Sequence, residues 1–81
     1  NIFYVASNIT ANSVLLNWDK EKDVSKIEVY DGATLLNTSN VTSNEKNTGT
    51  KQIDGLMSQK EYTFKIYLGA MLRGTISVKT L

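Results

Sequence analysis

An 81-residue chain with 41% apolar and 21% charged residues suits one small collapsing domain rather than a disordered segment. It holds no cysteine and no histidine, which excludes disulfide staples, thiolate or imidazole metal sites and the commonest general base near neutral pH. Nine basic against eight acidic residues leave a net charge of +1, and Arg73 is the sole arginine, so the basic stripe that nucleic acid requires is missing.

No apolar run reaches the ~18–20 residues of a transmembrane helix and no signal peptide stands out, so membrane insertion is not expected. The chain starts at Asn1 without a methionine and reads as a processed product or a module excised from a larger protein. Residues 1–81 form a single expected domain. At this size folding buries roughly 60–65% of the unfolded surface, so one modest core must supply the stability.

In chain order, Ile2 to Ala6 is apolar and β-favouring and is expected as the first strand. Ile9 continues the buried set before the turn residues 10–13. Val14, Leu16 and Trp18 alternate with Leu15 and Asn17, giving a second strand with one apolar face. Asp19 to Asp23 alternates charge with no apolar residue and reads as a solvated loop. Ile27 and Val29 then alternate with Glu28 and Tyr30. Asp31-Gly32 follows as a two-residue hairpin signal, since a type I′ turn needs positive φ at both central positions. Ala33 to Asn37 returns antiparallel.

Thr38 to Thr48, rich in Ser, Thr and Asn, is the stretch expected to be least ordered. Gly49 to Asp54 is a strand carrying Ile53 inward, and it leads to Gly55-Leu56. Tyr62, Phe64 and Ile66 point one way while Thr63, Lys65 and Tyr67 point the other. A tyrosine at a strand start, just after a loop between sheets, is the arrangement of a tyrosine corner, whose hydroxyl bonds backbone a few residues upstream. Leu72 to Thr80 completes the set. A three-residue loop at Gly69-Ala70-Met71 would pair Leu68 with Leu72, Phe64 with Ile76 and Tyr62 with Val78. A two-residue loop works only if Gly74 makes a bulge that restores register, and the first arrangement is the one expected. Seven short strands without helices predict an all-β, immunoglobulin-like sandwich in two antiparallel sheets, with Trp18, Leu56, Tyr62 and Phe64 in its core.

Taken together these residues resemble the fibronectin type III family over essentially the whole chain. Ile9-Thr10 with Ser13 to Trp18 looks like the family's second strand and core tryptophan. Val24, Ile27, Val29-Tyr30 and Asp31-Gly32 are similar to modules attached to bacterial secreted glycoside hydrolases. Ile53, Gly55-Leu56 and Tyr62 to Ile66 resemble the leucine and tyrosine of the fifth and sixth strands, and Ser77 to Thr80 the last strand. The chain departs from the family in its shortness, its lack of proline and its short last loop. Integrin-binding members carry Arg-Gly-Asp in that loop. Arg73-Gly74-Thr75 lacks the carboxylate, so integrin binding does not carry over.

Few residues suggest chemistry. Asp19-x-Glu21-x-Asp23 spaces carboxylates as calcium loops do, but Val24 and Tyr30 stand where such a loop needs glycine and a bidentate glutamate. Lys20 and Lys22 neutralise the cluster, so no metal or other cofactor is expected. Ser and Thr have no base to activate them, and the acids lie in loops and on outward strand positions, so no catalytic site is expected. Tyr30 and Tyr67 face outward on neighbouring strands, roughly 13 Å apart at ~3.3 Å per residue, where sugar rings could stack. Leu68, Met71 and Leu72 crowd a hairpin tip beside Arg73 and offer a contact to a neighbouring domain or protein surface. Asn8-Ile9-Thr10, Asn37-Thr38-Ser39 and Asn40-Val41-Thr42 match the glycosylation pattern, as chance allows in a chain this rich in Asn, Ser and Thr.

The expectation is therefore a non-catalytic module of an extracellular or cell-surface protein, of bacterial origin, monomeric when isolated. It would act as a spacer that positions neighbouring domains. A recognition module for polysaccharide or a protein partner is the alternative, and a structural domain of a phage tail or other virion protein is the third reading.

Overall fold

Alternation of apolar and polar side chains, repeated with turns between, builds two facing sheets. The computed structural model describes residues 4–81. In it β1 (Tyr4–Ser7), β2 (Val14–Trp18) and β5 (Thr50–Ile53) form one antiparallel sheet in the order β1-β2-β5. β4 (Thr34–Asn40), β3 (Lys26–Asp31), β6 (Glu61–Leu68) and β7 (Met71–Lys79) form the other, in the order β4-β3-β6-β7. The result is an all-β sandwich. Asn1, Ile2 and Phe3, which the sequence assigns in part to the first strand, lie outside the described residues.

The period-2 faces meet between the sheets. Val14, Leu16 and Trp18 from β2 face Ile27 and Val29 from β3 and Tyr62, Phe64 and Ile66 from β6, all of them buried. Val24, Val41, Leu56 and Val78 close the ends and edges, with Ala6, Ile9 and Ile76 packed against the cluster. Burying each large aliphatic or aromatic side chain contributes about 1.5–3 kcal/mol, which is why one thin layer suffices.

Two hairpins differ from the sequence expectation by one residue. Asp31 pairs with Thr34, so Gly32-Ala33 and not Asp31-Gly32 forms the first turn. Only Gly32 of the pair has positive φ (58°), the pattern of a type II′ turn, whose first central position takes glycine. The last hairpin pairs Leu68 with Met71 around a two-residue Gly69-Ala70 loop, in place of the expected three-residue one. Register then shifts between Ile66 and Tyr67, which face Gly74 and Leu72, leaving Arg73 as the extra residue of a bulge. That bulge restores Phe64 to Ile76 and Tyr62 to Val78, so the core pairs form although the loop is shorter.

The stretch expected to lack order is the largest correction. β4 runs on to Asn40, and residues Ser43–Thr48 form a helix, α1. Thr42 caps it: the Thr42 hydroxyl accepts from Glu45 N at 3.3 Å, and the Thr42 N–H donates to Glu45 Oε1 at 2.9 Å. This reciprocal capping box satisfies two amides that would otherwise lack partners. Gly49 ends the helix at φ 70°, donating its N–H to Glu45 O. An added Cβ on Gly49 would lie 2.7 Å from the Trp18 carbonyl oxygen, so glycine is required twice over.

Candidate functional site

The outer face of the four-stranded sheet carries the residues singled out for contact. The ladder registers set them in three rows across the strands. Asn40, Lys26, Tyr67 and Leu72 make the first row, Thr38, Glu28, Lys65 and Thr75 the second, and Leu35, Tyr30, Thr63 and Ser77 the third. Tyr67 therefore stands opposite Lys26, four residues from Tyr30, an offset of about 13 Å along the strand.

Their side chains nevertheless converge. The Tyr30 hydroxyl donates to Glu28 Oε1 at 2.6 Å, and the Tyr67 hydroxyl approaches the same carboxylate. Lys26 Nζ sits 3.6 Å from Glu28 Oε2 and 5.0 Å from the centre of the Tyr67 ring, while Lys65 Nζ sits 4.7 Å from the centre of the Tyr30 ring. Each tyrosine is half-buried and carries an ammonium over one face, a cation–π arrangement.

The electrostatics follow from this geometry. The Tyr30 hydrogen bond, with help from Tyr67 and Lys26, holds the Glu28 carboxyl below its usual range. Donating to that carboxylate pushes the Tyr30 phenol up to about 12. Partial desolvation, with the Glu28 carboxylate beside it, raises Tyr67 as well. The two tyrosines and the outward Lys65 are legible in the sequence, whereas Lys26 and Glu28 as their partners were not singled out. The Lys26-x-Glu28-x-Tyr30 spacing was the available signal, because on a strand it puts all three on one face.

At the end of the sheet, Met71 and Leu72 are exposed, whereas Leu68 and Arg73 are half-buried. Leu72 lies beside Tyr67 and so continues the first row, while Met71 stands at the hairpin tip. The acidic loop folds on itself: Glu21 N donates to Asp19 Oδ1 at 3.0 Å, and Asp23 lies 3.8 Å from Lys46 on α1. Among the described residues no three His, Cys, Asp or Glu side chains gather to hold a metal ion. No helix among them is long and apolar enough to cross a membrane.

At the opposite pole, Met57 N donates to the Tyr62 hydroxyl at 2.8 Å, five residues upstream, which is the tyrosine corner. Thr80, expected only as the end of the last strand, joins the same loop: its hydroxyl donates to Met57 O at 2.6 Å and accepts from Lys60 N at 3.1 Å. Leu81 N donates to Thr10 O, and Gln59 N to Leu81 O. The last residues are thus bound to two loops of the Leu81 pole. No family model matches the chain, and a search of curated proteins finds no match to it.

Proposed function

We propose that the chain is a fibronectin type III-like, non-catalytic module of an extracellular or surface-exposed protein, and that it sets the spacing between neighbouring domains. The single observation that carries this reading is where the backbone runs. β1 starts beside Trp18, and the last strand ends against Thr10, at the other pole. The body between has a long axis of 32 Å. A chain that enters beside Trp18 and leaves against Thr10 would separate its neighbours along the strands, and the hydrogen bonds of Thr80 and Leu81 tie the exit to the body. The division into three and four strands, with a tyrosine corner opening the sixth, supports the family resemblance carried by Trp18, Leu56 and Tyr62.

Fusing a reporter domain to each end and measuring their separation by small-angle scattering tests the reading. Each added copy of the module should lengthen the particle by about its own long axis. Reporters that fold back on the module, or whose separation does not grow with copy number, would overturn it.

The recognition alternative draws on the Tyr30 and Tyr67 face. Against it stands the ammonium already placed over one face of each ring, Lys65 on Tyr30 and Lys26 on Tyr67.

A further inference from the structure

β5 is an edge of the three-stranded sheet, and its inward face carries a charge. Lys51 stands opposite Leu16 of β2 and shares a face with Ile53, both of them buried, so its side chain points to the core side. Only 10% of that side chain is exposed. An inward lysine keeps an edge strand from pairing, yet an ammonium so placed needs a counter-charge. Glu45 of α1 supplies it, with Lys51 Nζ donating to Oε1 at 2.9 Å and to Oε2 at 3.1 Å. Among the described residues no other carboxylate pairs with Lys51.

The same carboxylate holds α1 in place. It accepts the Thr42 amide of the capping box, and no side chain of α1 is buried, so no apolar anchor assists. The flanks are fixed independently. Val41 is buried and donates its N–H to Ser25 O, while Gly49 O accepts from Trp18 N, each at 2.9 Å. The other charges around α1 are Lys46, which meets Asp23 at 3.8 Å in an exposed pair, and Asp19, Lys20, Glu21 and Lys22 of the adjoining loop. None of these pairs with Glu45. Burial works against the Glu45 charge, but the Thr42 amide and the Lys51 ammonium outweigh it and hold the carboxyl below its usual range.

We propose that α1 is an acid-released strap: once Glu45 is neutral, the segment between Val41 and Gly49 lifts from β5 and lets the Lys51 ammonium reach water, while the sandwich stays folded. The cause is the cation rather than the cap. A neutral Glu45 can still bond the Thr42 amide, as glutamine does in a capping box, but it leaves Lys51 desolvated and unpaired. Removing one member of a buried pair costs more than the pair itself contributes. Opening the strap is the less costly outcome, because α1 buries no side chain of its own. The bonds are complete above 4.5, the ordinary carboxyl value, and are lost as pH falls through the lowered folded value.

Amide hydrogen exchange followed by NMR at neutral pH tests this in the parent, Glu45→Gln, Lys51→Met and the double variant, with a thermal melt of each to verify folding. Glu45→Gln mimics the protonated carboxyl. It should speed exchange of the Lys46 and Gly49 amides on the order of tenfold, through the loss of a charge-assisted bond. That exchange should respond little to low denaturant, unlike that of the β6 amides, which marks local rather than global opening. The double variant should return the α1 amides to the parent's rate, since no cation is left to hydrate. When the parent is acidified, the α1 resonances should shift before those of β6, and in Lys51→Met the two should move together. Exchange in Glu45→Gln equal to the parent's would overturn the proposal. So would α1 amides already unprotected in the parent, α1 and β6 amides exchanging together, or a double variant as fast as Glu45→Gln, which would make Glu45 a helix cap only.

Discussion

At the residue scale, two hydroxyls show how a polar atom on a large ring fixes geometry. Tyr62 is 3% exposed, and its hydroxyl is the partner of the Met57 amide. Tyr62→Phe keeps the ring and strands that amide, which should cost about 1–2 kcal/mol in a denaturant melt. An unchanged midpoint would mean that the corner bond adds nothing. Tyr30 makes the second case. Its phenol donates to Glu28 in the folded chain, so the folded state keeps this proton more tightly than the unfolded state, whose ordinary value is 10. The stabilisation is complete below pH 10 and disappears as pH climbs through about 12. Glu28 has the opposite sense: its lowered value stabilises the fold above 4.5, and that contribution is lost on acidification through the folded value. In a phenolate absorbance titration one tyrosine should ionise near 12, and Glu28→Gln should return it toward the ordinary range. A single transition near 10 for all tyrosines of the parent would contradict the hydrogen bond.

At the element scale, strands were legible where burial enforces period 2, and the local connections were less so. β2 and β6 could be read residue by residue, because Val14, Leu16, Trp18, Tyr62, Phe64 and Ile66 must all face one core. The hairpin at Gly69 could not, since two loop lengths give the same Phe64 to Ile76 pair once a bulge absorbs the difference. The outer-face cluster was half legible. Tyr30 and Tyr67 were visible on their strands, but their meeting at Glu28 depends on side-chain lean that no alternation pattern encodes. Helix α1 was hidden by composition: Thr42-Ser43-Asn44-Glu45 reads as polar loop until the reciprocal Thr42 and Glu45 bonds are recognised. Its ends yield a paired prediction. Thr42→Ala should cost about 0.5–2 kcal/mol, the range for a lost N-cap. Gly49→Ala should cost more, because a side chain must adopt φ 70° with its Cβ driven 2.7 Å from the Trp18 carbonyl. Equal melting midpoints for the two variants would show that the Gly49 approach is relaxed in solution.

At the scale of the whole molecule, the question is whether the sandwich is a rod between other domains or a surface that grips something. The outer face bears on it. A sugar ring stacks on an aromatic face that water leaves readily, but here one face of the Tyr30 ring already meets the Lys65 ammonium and one face of the Tyr67 ring the Lys26 ammonium. Both hydroxyls are turned toward Glu28, so a neutral glycan would have to break an existing network to gain its contact. The spacer reading therefore predicts no retardation of the isolated chain in gels containing cellulose, chitin, xylan or cell-wall glycans. Tyr30→Ser and Tyr67→Ser should change only stability, within the ~1 kcal/mol span of strand preferences. Met71→Ser with Leu72→Ser tests the hairpin tip in the same gels. Retardation by any glycan, abolished by the tyrosine changes and kept by the tip changes, would make the face a binding site and displace the spacer reading. Retardation lost only in the tip variant would move the site to Met71 and Leu72. Glu28→Gln, which removes the carboxylate that accepts from Tyr30, belongs in the series. Should that variant alone gain retention, the network is what keeps an otherwise sticky face closed.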